Sequence, residues 1–210
     1  MRVLELFSGT CSISRAFESR GHECVTVELD HKLPATCHLD VMEIGENWLE
    51  DQGHFDVVWA SPPCTTYSVA GIGHHRVKNH ETGECDPVSE YAKVSDELVK
   101  HTLHIIEVAA PKYWFIENPV GALRKMRFMD GLPRYTVTYC QYGDIRQKPT
   151  DLWTNHPDPQ FKPCCHRGDP CHQASPRHSN SGTQGLRNAR ERGKIPQELC
   201  EHIVDICEVL

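Results

Sequence analysis

Residues 2–30 read RVLELFSGTCSISRAFESRGHECVTVELD, and this stretch decides the fold. An apolar run meets a turn containing Gly9, an amphipathic segment follows and stops at Gly21, and a second apolar run ends in acids. Two strand-length runs flanking one helical period make a β-α-β unit. Further along, FDVVWA (55–60) leads into a Pro-Pro-Cys turn, and a long helix is predicted over residues 89–110. Leu98, Val99, Leu103, Ile105, Ile106 and Val108 supply its buried side, and Pro111 ends it. YWFIEN (113–118) is the next strand, while RYTVTYCQYG (134–143) followed by DLWTN (151–155) reads as a hairpin at the sheet edge. A last helix starts at Pro196, a favourable first-turn position. The alternation predicts an α/β fold with a mainly parallel sheet covered on both faces. Ligands of such sheets bind beyond the carboxyl ends of the strands. Residues 7–9, 28–30, 62–64 and 117–118 all fall at such ends and should converge on one cleft.

A chain of 210 residues suffices for one sizeable domain plus a small appendage. No window approaches the roughly 18 consecutive apolar residues of a membrane span, and MRVLELFSG lacks the apolar core of a signal peptide. A soluble, intracellular protein is expected, with no membrane partner. Eleven cysteines without a compact disulfide framework favour free thiols, a catalytic thiolate or metal ligation in a reducing compartment. The net charge of −7 argues against a nucleic-acid partner until its distribution is considered. Residues 124–194 hold thirteen Lys/Arg against six Asp/Glu, and the remainder nine against twenty-three. An acidic body with a basic flank can still hold a polyanion. Residues 69–87, with Gly71, Gly73, His74, His75, His80 and Gly83, show little periodicity and are expected to form a mobile loop whose histidines face solvent.

The strand ends carry the chemistry. Gly9 lets the backbone approach a ligand, and Glu28 can accept hydrogen bonds from both hydroxyls of a ribose. FSGTCS is not the dinucleotide fingerprint, so a nucleoside without a diphosphate is favoured. Cys64 lies on a turn whose N–H groups can favour a nucleophilic thiolate, its backbone fixed by the preceding prolines. Taken singly, Gly9 and Glu28 are equally a plain turn and a solvated acid, and Cys64 a buried inert thiol. Glu117 alters the balance: a carboxyl group ending an apolar strand is partly desolvated and poised to hold or donate a proton. Thiolate and acid together are what conjugate addition to a pyrimidine requires. The thiolate attacks C6, the acid supports N3, and C5 becomes nucleophilic.

In their order along the chain, these segments resemble the motifs of the DNA (cytosine-5) methyltransferases. LELFSGTCSISRAFESRGHECVTVELD is similar to their first, cofactor-binding motif, SPPCTTYSVAG to the Pro-Cys motif and PKYWFIENPVGAL to the Glu-Asn motif. YTVTYCQYGDIRQKPTDLW resembles the strand leading into their Gln-x-Arg-x-Arg motif, and GKIPQELCEHI their C-terminal motif. The resemblance implies a Rossmann-like S-adenosylmethionine-dependent methyltransferase fold. It divides the chain into a catalytic domain (1–155), a reduced recognition insert (156–194) and a C-terminal helix that packs back on the domain (195–210). It implies S-adenosylmethionine over Phe7, Ser8 and Gly9, with Glu28 on the ribose, Leu29 and Val41 beside the adenine, Asp40 on its amino group and Pro63 beside the methyl donor. Cys64 would attack C6 of a cytosine flipped out of duplex DNA, Glu117 would hold N3 and Asn118 would fix the loop. The loop after Ser68 would close over the base, DNA would lie along the basic region 124–194, and the protein would be cytoplasmic or nucleoid-associated.

Departures from the family pattern matter as much. Cys11 stands where the family usually has Gly, tightening the room around the cofactor. The Gln-x-Arg-x-Arg motif is not intact, leaving Arg146 or Lys148 as the cation near the base's O2. RGKIP lacks the usual Asn before proline. The insert is short, and its CCHRGDPCHQASPRH (164–178) places thiols and imidazoles at spacings that can bind tetrahedral zinc. The ligand set expected is Cys165, Cys171 and His178 with Cys140 on the adjoining strand. A polar loop with incidental cysteines is the alternative. The short insert and net acidity also leave open an RNA or nucleotide acceptor, and the altered motifs a non-catalytic nucleic-acid-binding module.

Overall fold

The computed structural model describes residues 1–173, 186 and 188–209. β1 (Arg2–Leu6) is buried over its last four residues, as a strand covered on both faces must be. It passes through a tight turn into α1 (Ser12–Ser19), then β2 (Glu23–Glu28) and the short β3 (Cys37–His38). α2 (Glu46–Gln52) and β4 (Val57–Ala60) follow. The excursion after β4 holds α3 (Ile72–His75), β5 (Arg76–Lys78) and β6 (Cys85–Pro87). α4 (Glu90–Ala109), β7 (Tyr113–Pro119), β8 (Arg134–Thr138), β9 (Pro149–Thr154), α5 (Ala189–Gly193) and α6 (Gln197–Glu208) complete the elements.

Seven strands form one sheet in the order β3-β2-β1-β4-β7-β9-β8. Neighbours from β3 to β7 are parallel, and β9 runs antiparallel to both β7 and β8. This is the Rossmann-like arrangement expected, with the consecutive strands β8 and β9 as an antiparallel hairpin and β8 at the edge. Strand order reverses between β1 and β4, where open sheets of this kind leave a crevice.

Side chains alternate along each strand, so β4 sends Val58 and Ala60 to one core and Val57 and Trp59 to the other. The first core gathers Leu4, Leu6, Val25 and Ile116 under Val99, Ile105 and Ile106 of α4. The second gathers Val3, Phe115 and Leu152 under Ile13 and Phe17 of α1 and Leu199, Ile203 and Cys207 of α6. α6 therefore completes a core of the sheet. Its exposed ion pairs from Arg20 to Asp205 and Glu208 add little beside that burial.

α4 begins one residue later than the sequence predicts, because the Ser89 hydroxyl accepts from the Ala92 N–H as an N-cap. A larger correction concerns residues 69–87, which the sequence marks as an irregular mobile loop. They are folded into α3 and the β5–β6 hairpin. Arg76 explains it: the guanidinium, wholly buried, lies 2.6 Å from Asp96 of α4, donates to the Thr66 carbonyl at 2.9 Å and stacks on the Tyr67 ring. A charged side chain with its hydrogen bonds met serves here where an apolar residue would be sought. Among the described residues, no helix is long and apolar enough to cross a membrane.

Candidate active site

Register aligns the strand ends. Leu6 pairs with Val27 and with Ala60, and Ala60 pairs with Ile116. The residues one step further, Phe7, Glu28, Ser61 and Glu117, therefore leave the sheet side by side.

On one flank, the turn after β1 takes Phe7, Gly9 and Cys11 through positive φ (57°, 51° and 54°). Gly9 accommodates this freely, whereas the other two hold strained backbone of the kind that concentrates at ligand sites. Glu28 fixes the turn: one carboxylate oxygen accepts from the Gly9 N–H at 2.9 Å and the other from the Asp30 N–H at 3.0 Å. Each oxygen keeps a further lone pair for a hydroxyl donor. The Ser8 hydroxyl is buried and has no hydrogen-bond partner, a deficit that a polar ligand would satisfy. Leu29 is 62% exposed, an apolar surface beside these polar groups. Val41 is buried, and Asp40 caps a 3-10 turn by accepting from the Met42 N–H. The Cys11 thiol donates to the Pro34 carbonyl at 3.1 Å, which commits the side chain to the loop before β3.

On the other flank, Cys64 follows Pro62 and Pro63, and its carbonyl accepts from the N–H groups of Tyr67 and Ser68. Glu117 is buried at the end of β7, where Oε1 accepts from the Tyr139 hydroxyl at 2.9 Å and lies 3.7 Å from Lys148 Nζ. Burial holds the Tyr139 hydroxyl protonated as a neutral donor. Three contacts lock the two segments together. Asn118 Nδ2 donates to the Pro62 carbonyl at 3.0 Å, the Ala122 N–H donates to the Tyr67 carbonyl at 2.8 Å, and Ser68 forms a β-bridge with Gly121. Gly121 is required there, since a Cβ would lie 2.2 Å from the Tyr67 carbonyl oxygen. Burial and the Glu117 charge push the Cys64 thiol pKa up, and Lys148 opposes them only in part.

The two cations named from the sequence share the Arg192 carbonyl but take different acidic partners. Arg146 is spent on Asp144 and on the carbonyls of Glu191, Arg192 and Lys194. Lys148 stands beside Glu117, its ammonium over the Tyr139 ring and bonded to the Arg192 carbonyl. Tyr139 escaped notice in the sequence, although an aromatic residue closing the YTVTY strand was visible there. In the basic region, Arg124 pairs with Asp151, Arg127 with Glu84, Arg146 with Asp144 and Lys162 with Glu198. Lys125, Arg134, Arg167, Arg190 and Lys194 remain exposed. Of the zinc set, Cys140, Cys165 and Cys171 come together, and the imidazole among them is that of His172. His178 lies outside the described residues.

The family model for C-5 cytosine-specific DNA methylases matches residues 1–134. A protein of Frog virus 3 (isolate Goorha) named "Probable DNA (cytosine-5)-methyltransferase" is 30% identical over 225 residues, covering 99% of this chain and 100% of that one. A prophage-encoded E. coli protein titled "putative DNA modification methyltransferase" superposes with a TM-score of 0.50 at 15% identity, over 73% of this chain and 46% of its own. A triply substituted form of Spodoptera frugiperda DNMT2 gives 0.48 at 15% identity, over 73% and 49%. The chain spans about half the length of these solved structures, and at 15% identity the likeness to the prophage protein is one of fold.

Proposed function

The chain belongs to the C-5 cytosine-specific DNA methylase family, and on that premise we propose that it methylates C5 of cytosine in DNA through a covalent bond between Cys64 and C6. The observation that carries this reading is the lock between the Cys64 turn and the Glu117 strand end through Asn118, Tyr67, Gly121 and Ala122. A nucleophile and an acid are useful together only when their separation is fixed, and here backbone contacts fix it.

The donor set of the first flank fits S-adenosylmethionine, which supplies an electrophilic methyl group when bound. Phe7, Ser8 and Gly9 line the turn, with the unpaired Ser8 hydroxyl available to a polar group. Glu28, which fixes the turn, would take the ribose hydroxyls; exposed Leu29 and buried Val41 would flank the adenine, Asp40 would meet its amino group, and Pro63 would border the donor. On the opposite flank a cytosine must leave its stack to reach Cys64. Tyr139 holds the Glu117 carboxyl group through Oε1, which leaves Oε2 for N3 of the base. Lys148 is the cation beside that carboxyl group and stabilises negative charge developing on the ring or on sulfur. Cys64 loses its thiol proton to solvent, and attack of the sulfur lone pair on C6 shifts the C5–C6 π pair to C5, which takes up the methyl group while the former bonding pair of that methyl stays on the donor. Loss of the C5 proton to solvent then re-forms the C5–C6 double bond as the C6–S pair returns to sulfur, and the released thiolate is reprotonated from solvent. Exposed cations of residues 124–194 steer the DNA backbone, and the protein works where the DNA is, inside the cell.

The test is transfer of labelled methyl to duplex DNA together with a covalent adduct on DNA containing 5-fluorocytosine, with RNA and cytidine nucleotides as parallel acceptors. Transfer to DNA with loss of the adduct in Cys64→Ser supports the proposal. Transfer only to RNA or nucleotides replaces the substrate, and DNA binding with no cofactor binding by calorimetry and no transfer marks a binding module.

A further inference from the structure

We propose that Cys140, Cys165, Cys171 and His172 form a structural zinc site that pins the insert after β9 to the sheet edge beside the Tyr139–Glu117 pair. Their four ligand atoms lie within 4.8 Å of one another. Cys140 Sγ is 3.1 Å from Cys165 Sγ and 3.6 Å from Cys171 Sγ; His172 Nδ1 is 3.6 Å from Cys165 Sγ and 3.5 Å from Cys171 Sγ. Tetrahedral zinc at its usual bond lengths sets ligand–ligand edges of roughly 3.8 Å between sulfurs and roughly 3.5 Å between sulfur and nitrogen. Three of these four separations match to within about 0.2 Å, and the Cys140–Cys165 edge must open by roughly 0.7 Å.

The surroundings give an independent reason. Between Lys162 and Gln173 the one buried residue is Cys165, so apolar burial cannot hold this stretch in place. It is nevertheless tied to the edge hairpin at both ends, by Cys165 N–H to the Thr138 hydroxyl at 3.1 Å and Gln173 N–H to the Ile145 carbonyl at 2.9 Å. A metal joining Cys140, in the 3-10 turn after β8, to three ligands of the insert supplies the missing cohesion. Side-chain amides complete the shell: Gln147 Nε2 donates to Cys165 Sγ at 3.4 Å and Gln141 Nε2 to Cys171 Sγ at 3.5 Å. Donors aimed at sulfur suit metal-bound thiolates. Cys164 is excluded, its thiol donating to the Thr136 carbonyl at 2.9 Å. On binding, each of the three thiols releases a proton to solvent and donates a lone pair to Zn²⁺, with no change of oxidation state. Because Cys140 adjoins Tyr139, the ion fixes the insert one residue from the partner of Glu117.

The experiment is elemental analysis of the full-length protein purified without added metal, followed by cobalt(II) substitution. The expected result is an equimolar amount of zinc, an intense visible cobalt spectrum of tetrahedral thiolate ligation, and faster proteolysis within residues 156–173 after chelation. Cys171→Ser and His172→Ala, both away from the sheet, are expected to lose most of the metal while the far-ultraviolet circular dichroism spectrum is kept. His178→Ala is expected to retain it. Absence of zinc with a Cys140–Cys165 disulfide found by mass spectrometry overturns the site, and metal lost in His178→Ala but kept in His172→Ala overturns the ligand assignment. These readouts require no methyl transfer, so they stand apart from the catalytic proposal.

Discussion

Asn118 holds the carbonyl of Pro62 at 3.0 Å, across the gap between the strand that ends in Glu117 and the turn that presents Cys64. The amide is fully buried, and its Oδ1 has no partner. Asn118→Ala removes the tie without touching either reacting group. We expect methyl transfer to fall roughly 10²-fold, as displacements of about 1 Å do, with cofactor affinity retained. Single-turnover rates and calorimetry of cofactor binding check it; equal losses in both would place Asn118 elsewhere.

Gly121→Ala acts on the same junction by overpacking. The added methyl would lie 2.2 Å from the Tyr67 carbonyl oxygen, so the bridge to Ser68 and the Ala122 hydrogen bond must open. A loss of about 1–3 kcal/mol in urea unfolding is expected, with activity falling more than stability. Gly73→Ala, at a position with open space, is the matched control and should be nearly silent.

Arg76→Met strands the Asp96 carboxylate beside Tyr67 in the core. Breaking a buried pair in this way costs about 3–5 kcal/mol, and thermal unfolding should register it. Arg76→Met combined with Asp96→Leu should recover part of the loss, because no uncompensated charge then remains.

The Cys64 thiol should alkylate slowly at neutral pH in the absence of ligands, its rate still climbing beyond the range of an ordinary thiol. Glu117→Gln removes a neighbouring negative charge and shifts the profile to lower pH. Lys148→Met removes the opposing positive charge and shifts it higher. Mass-spectrometric labelling rates of the Cys64 peptide against pH decide the order of the three proteins.

Glu5, within β1, has its carboxyl pushed from 4.5 up to about 7, mainly by burial. The folded state therefore holds a proton that the unfolded chain releases, so the contribution is fully present below the unfolded value and is lost as pH rises through the folded one. From about pH 4.5 to about 7 stability should decline by about 3 kcal/mol relative to Glu5→Gln, measured by urea unfolding across that window.

Much of the candidate site is legible along the chain because its parts are local. The stretch 2–30 fixes a strand, a turn and a helix by periodicity and Gly9, and the Pro-Cys and Glu-Asn segments announce themselves at the ends of apolar runs. Once the strands are parallel and in register, those ends have to meet. Arg76 resisted such a reading. In a segment of glycines and histidines, nothing local shows that a guanidinium will find Asp96 twenty residues on and turn a loop into a folded hairpin.

The sequence by itself determined the Rossmann-like sheet and the strand-end placement of Gly9, Glu28, Cys64 and Glu117, because backbone pattern and burial act over a few residues at a time. Only the tertiary structure decided that Lys148 rather than Arg146 stands beside Glu117, that Tyr139 orients it, and that His172 joins the three cysteines. Those choices depend on which polar groups are brought within hydrogen-bond reach across the hairpin and insert, and packing of distant segments sets such distances, not spacing along the chain.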